Sequence, residues 1–143
     1  MHRLDEHVVN STYIVKDRWF SLRADACRIP NGRTIAPYYV FEYPPWVNVV
    51  ALTENGHVVL VKQYRHGLQR TLIELSSGGV EPQDTSPLAA ARRELLEETG
   101  STGKHFIQTG VRSANPVNHT NMTHCFLATS VHHIATPVLD DTE

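Results

Sequence analysis

The stretch Arg93-Glu94-Leu95-Leu96-Glu97-Glu98-Thr99-Gly100 carries three carboxylates in five residues and decides how the rest of the chain is read. A helix turning about 100° per residue brings Glu94, Glu97 and Glu98 onto one face, within an arc of roughly 100°. Leu88, Ala91 and Leu95 fall on the opposite side, so one face anchors in a core and the other forms a negative patch. Neighbouring like charges on an exposed helix repel by a few tenths of a kcal/mol per pair. A hard divalent cation offsets that repulsion, and Mg²⁺ prefers carboxylate oxygens shared with substrate phosphates. The competing reading is a solvated helix face rich in Glu, a good helix former.

The flanks delimit the helix. Gly78-Gly79-Val80-Glu81-Pro82-Gln83-Asp84-Thr85 reads as a turn-rich loop. Ser86 occupies the N-cap position and Pro87 the first helical position, where a missing N–H costs nothing. Gly100 supplies the C-terminal stop, which predicts a helix from about residue 87 to about residue 99.

Together these residues resemble the Nudix box, in which Gly, five residues, Glu and seven residues lead into Arg-Glu-apolar-x-Glu-Glu-x-Gly-apolar. Gly79 matches the first glycine, and Arg93, Glu94, Leu95, Glu97, Glu98 and Gly100 match the second half. Two positions depart: Thr85 stands where the box has Glu, and Ser101 where it has an apolar residue. Asp84, one residue away, substitutes only if the loop shifts. The resemblance implies that Glu94, Glu97 and Glu98 ligate Mg²⁺, with Mn²⁺ as the alternative. It makes Glu97, Glu98 and Arg93 the catalytic set, Arg93 fixing a carboxylate four residues on. Thr85 therefore bears on loop rigidity and efficiency more than on metal binding.

Composition fits such an enzyme. The 143 residues suit one core, with 41% hydrophobic and 20% charged residues. No apolar run approaches the length of a membrane span, and Met1–Glu6 lacks a signal-peptide core. Cys27 and Cys125 are far apart in sequence, against a disulfide framework or a Cys-x-x-Cys metal site. A net charge of −2 offers no footprint for nucleic acid. A cytoplasmic protein acting on a small nucleotide, with no nucleic-acid or membrane partner, is the expectation.

Strands are predicted at 12–15, 19–24, 38–42, 47–52, 57–63, 105–110 and 122–129 from β-branched and aromatic content. Pro30-Asn31-Gly32-Arg33 marks one turn, and Glu54-Asn55-Gly56 carries the strongest short hairpin signal. The fold class is α+β. By resemblance it is a Nudix-type α/β/α sandwich with an N-terminal antiparallel extension (1–45) ahead of the core (46–143). The acidic end Leu139-Asp140-Asp141-Thr142-Glu143 is where related chains continue into a strand and helix. The C-terminal helix is therefore expected to be missing or shortened, the alternative being a natural acidic tail.

The N-terminal strands and Val59–Arg65 followed by Glu74-Leu75 resemble the ADP-ribose pyrophosphatase branch. There the extension builds a homodimer and half of the substrate pocket. Substrate contacts then fall to Arg65 on phosphate or carboxylate, Trp46 on the adenine ring, Glu74, and Gly79. The alternatives are a surface Arg65, a packing Trp46, and Glu74 as a further acidic ligand near the metals or as partner of an arginine. His119 and His124, or Asp140, Asp141 and Glu143, are candidate bases. The resemblance implies hydrolysis of a nucleoside diphosphate linked to another group, ADP-ribose or a nucleotide sugar, to a monophosphate and a phosphorylated product. A non-hydrolytic nucleotide-binding module and a nucleoside triphosphatase are the competing functions.

Overall fold

A computed structural model describes residues 7–139; Asp140, Asp141 and Glu143 lie outside the described residues. Contacts divide the chain into two compact units. The first runs to Pro44 and also takes in Ser113–Asn121, and the second holds Pro45–Arg112 and the chain from Met122 on.

The first unit is an antiparallel sheet of order β1-β2-β3, built from β1 (His7–Lys16), β2 (Ser21–Arg28) and β3 (Thr34–Glu42). The predicted turn at 30–33 closes the second hairpin, with Gly32 at φ 84° and Ile29 N–H bonded to the Arg33 carbonyl. Asp25 is buried, which disfavours its charge. Hydrogen bonds from Arg23 and Ser11 outweigh that penalty and hold its pKa below the ordinary value. The 113–121 loop is tied on through Phe41, whose N–H and carbonyl bond Asn118 and Thr120.

The second unit contains β4 (Trp46–Thr53), β5 (Val58–Val59), β6 (Val61–Arg65), β7 (Arg70–Glu74), β8 (Ser76–Gly79), α1 (Pro87–Thr99), β9 (Ser101–Thr102), β10 (His105–Ser113) and β11 (Met122–His133). Its sheet runs β10-β11-β4-β5, with β8 added to β4, β9 to β11, and β6-β7 forming a separate hairpin. The Asn-Gly turn joins β4 to β5 as expected, Gly56 taking φ 78°. Alternation along β4 sends Val47, Val49 and Ala51 into a core shared with Phe126, Ala128 and Val131. From α1 come Ala90, Ala91 and Leu95, so the helix buries the stripe predicted for it, with Leu88 packed alongside.

The helix bounds match as well. Ser86 Oγ accepts from Ala89 N–H at 3.1 Å, Pro87 opens the helix, and Gly100 closes it at φ 64°. Two strand expectations need correction. The single strand at 57–63 breaks at Leu60, and its second half pairs with β7 rather than continuing from β5. Gly78 and Gly79, read as loop, end β8, paired with Val47 and Trp46. The missing side chain of Gly78 lets Glu94 approach this strand. Among the described residues α1 is the only α-helix, and none is long and apolar enough to cross a membrane.

Candidate active site

The carboxylate face of α1 looks onto β8. Glu94 and Glu98 are only 9% and 8% exposed, so the expected open negative patch reduces to Glu97. Burial follows from what covers them. Ser77 N–H donates to Glu98 Oε2 at 3.0 Å, and Glu94 sits where a side chain at Gly78 would be. Burial pushes the Glu94 pKa up to about 7, despite opposing contacts from Arg93, and the charges of Glu98 and Glu97 push it the same way. The three glutamates therefore share one electrostatic field.

Arg93 organises this face. Its Nη1 donates to Glu94 Oε1 and Glu97 Oε2, both at 2.9 Å, and its Nη2 donates to the Gly79 carbonyl at 2.9 Å. On the other side it grips Asp84, with Nε to Oδ1 at 3.2 Å and Nη2 to Oδ2 at 2.9 Å. Glu81 N–H also donates to Asp84 Oδ2, at 2.9 Å. These bonds hold the Asp84 carboxyl below its usual range, with the Arg93 hydrogen bonds the larger cause and burial opposing them. Asp84, one residue before Thr85, thus brings a carboxylate to Arg93, while Thr85 itself is exposed. Ser101 is buried at the box's apolar position, its hydroxyl donating to the Thr99 carbonyl at 3.2 Å.

The remaining candidates divide. Arg65 and Glu74 pair with each other, Nε to Oε2 at 2.7 Å, which realises the arginine-partner alternative for Glu74. Trp46 starts β4 opposite Gly79 and keeps 36% of its surface exposed. His119 packs against the Phe41 and Tyr43 rings of the first unit. His124 lies on β11 with Nδ1 buried and without a hydrogen-bond partner. Sequence reasoning passed over Ser77 and gave Gly78 no role beyond the loop, their signal being a run of four small residues. It also passed over Gln63. A cavity of about 340 Å³ beside Glu98 is lined by Lys62, Gln63 and Thr99 among others, and the buried Gln63 Oε1 has no hydrogen-bond partner.

Among the described residues no three His, Cys, Asp or Glu side chains form a ready metal cluster, since Glu94 and Glu97 turn toward Arg93. The donor set is nevertheless all carboxylate oxygen on adjoining turns of one helix, the chemistry a hard divalent cation takes.

The NUDIX domain matches residues 42–143, most of the chain and all of this helix. The chain belongs to the Nudix family. Residues 6–41 match the nucleoside diphosphate sugar hydrolase N-terminal domain, so this Nudix chain is a hydrolase with that branch's extension. It is 31% identical over 128 residues to an ADP-ribose pyrophosphatase of Bacillus subtilis, covering 90% of this chain and 68% of the relative. An ADP-ribose pyrophosphatase of Mycobacterium tuberculosis is 36% identical over 96 residues, covering 67% and 46%. A methanol dehydrogenase activator of Bacillus methanolicus is 33% identical over 96 residues, covering 67% and 51%. The chain thus spans about half the length of these last two. The crystal structure of an ADP compounds hydrolase superposes with a TM-score of 0.81 at 21% identity, over 96% of this chain and 74% of that one, a likeness of fold.

Proposed function

We propose that this Nudix hydrolase is a Mg²⁺-dependent pyrophosphohydrolase of ADP-ribose or a related nucleotide sugar. It would release nucleoside monophosphate and the phosphorylated partner. The observation that supports it is the seating of the helix glutamates: Glu94 against Gly78, Glu98 on Ser77 N–H, and Glu97 exposed beside them. Two relatives named ADP-ribose pyrophosphatase supply the substrate class.

Glu94, Glu97 and Glu98 would hold the metal, the last two closest to the chemistry. A divalent cation held there would supply charge neutralisation at the pyrophosphate and a more acidic water, leaving positioning and electrostatics to the protein. Arg93 fixes two of the glutamates and is itself fixed by the Gly79 carbonyl. The cavity beside Glu98 gives part of the substrate room, and Gln63 Oε1 offers it an acceptor. Arg65, braced by Glu74, has the paired donors that suit a phosphate, and exposed Trp46 a face for the base.

The test is AMP release from ADP-ribose by the full chain. Release that requires Mg²⁺ and stops with chelator is expected. No release from ADP-ribose, nucleotide sugars or nucleoside triphosphates by a folded chain would overturn hydrolysis in favour of a binding module. Residues 1–45 would serve as the dimerisation element. Val8, Val9, Tyr13 and Ile14 lie exposed along β1, apolar side chains that a second copy could cover. A solution mass of one chain at micromolar concentration would refute the dimer.

A further inference from the structure

We infer that Asp84 is a positioning residue for the metal-binding glutamates, acting through Arg93 and taking the place of the box glutamate that Thr85 lacks. This inference rests on the proposed metal site. Every donor direction of the Arg93 guanidinium is engaged. Nε and one Nη2 bond go to Asp84, the other Nη2 bond goes to the Gly79 carbonyl, and the Nη1 bonds go to Glu94 and Glu97. A planar fork held this way has little freedom left, so its orientation passes directly to the two carboxylates it touches.

Asp84 is itself fixed. Its side chain is 5% exposed, and Glu81 N–H pins Oδ2 from within the loop. The loop therefore turns so that residue 84, not residue 85, faces the arginine, the shift that the missing glutamate demanded. Thr85 is exposed and has no part in this network. Asp84 also balances charge. Without it the guanidinium's attraction falls on Glu94 and Glu97 alone and competes with a cation for the same oxygens. Loss of geometry and gain of competition weaken metal binding in the same direction. Partners one bond removed from metal ligands commonly change metal affinity by about 10–100-fold when replaced.

The experiment measures Mn²⁺ binding to the full chain by the loss of free-ion paramagnetic resonance, alongside melting curves. Asp84→Asn keeps the shape and one acceptor but sets an amide N–H₂ against donors. Its Mn²⁺ dissociation constant should rise about tenfold at a temperature where the variant is folded. In an Arg93→Gln background the same substitution should change affinity less than about twofold, because the route runs through Arg93. Unchanged affinity in folded Asp84→Asn, or an undiminished effect in the Arg93→Gln background, overturns the inference. If Asp84→Asn does not fold, Asp84→Ser is read by the same criteria, since it removes the carboxylate and keeps a small hydroxyl that can accept from the loop N–H of Glu81. A wild-type chain that binds no Mn²⁺ at millimolar concentration removes the proposed metal site itself, a result separable from failure of Asp84 alone.

Discussion

Glu98→Gln should lower Mg²⁺-dependent AMP release from ADP-ribose by about 10²–10³-fold, roughly 2.7–4 kcal/mol of transition-state stabilisation. The size follows from the charge that the substitution removes while the side-chain shape is kept. Gln has the shape of Glu and retains an oxygen to accept the Ser77 N–H, now 3.0 Å from Glu98 Oε2. What it loses is a negative charge at a buried position lining the cavity. A neutral amide oxygen is a weaker ligand for a hard cation. Melting temperature should hold within a few degrees, or rise, because burying an amide costs less than burying a carboxylate. Comparison of kcat at saturating Mg²⁺, together with the melting curve, checks the prediction. A variant retaining a third or more of wild-type activity at saturating Mg²⁺ would remove Glu98 from the chemistry.

Local signals in the sequence located the helix. Ser86, Pro87 and Gly100 act on neighbouring backbone groups, so their positions in the chain are sufficient to place the helix ends. The Asn-Gly turn and the buried stripe of Ala91 and Leu95 are local in the same sense. What covers a face is a different kind of information. Glu94 and Glu98 look solvent-exposed by periodicity, yet β8 lies over them, and that contact joins residues about twenty apart. Gly78-Gly79 has the composition of a loop, and its pairing to β4 depends on a strand more than thirty residues earlier. Asp84 shows the same limit at closer range. The box pattern counts positions, whereas the hydrogen bond to Arg93 depends on how the loop turns. The chemistry-bearing residue types were thus legible, but their burial and partners were set by long-range packing.

Gly78→Ala should cut ADP-ribose hydrolysis by about 10²-fold while costing little stability. A methyl group at position 78 would stand 2.0 Å from Glu94 Oε1 and 2.1 Å from its Cδ, so the two cannot coexist. The obstruction is the far end of a flexible side chain, not backbone, and Glu94 can swing away. Leaving also relieves the burial that pushes its pKa up to about 7, which offsets the lost contact with Arg93. The melting temperature should therefore fall by only a few degrees. In the proposed site Glu94 holds metal from that seat, and displacements of about 1 Å commonly cost 10²-fold. Gly67→Ala is the control, because nothing stands within 4 Å of its added methyl group. Equal activity in the two variants would mean that Glu94 does not act from the position beside β8. A collapse of folding at position 78 would mean that the strand, rather than the glutamate, gives way. Loss of activity in a chain that still melts cooperatively near the wild-type temperature would tie the reaction to the contact between this glycine and this carboxylate.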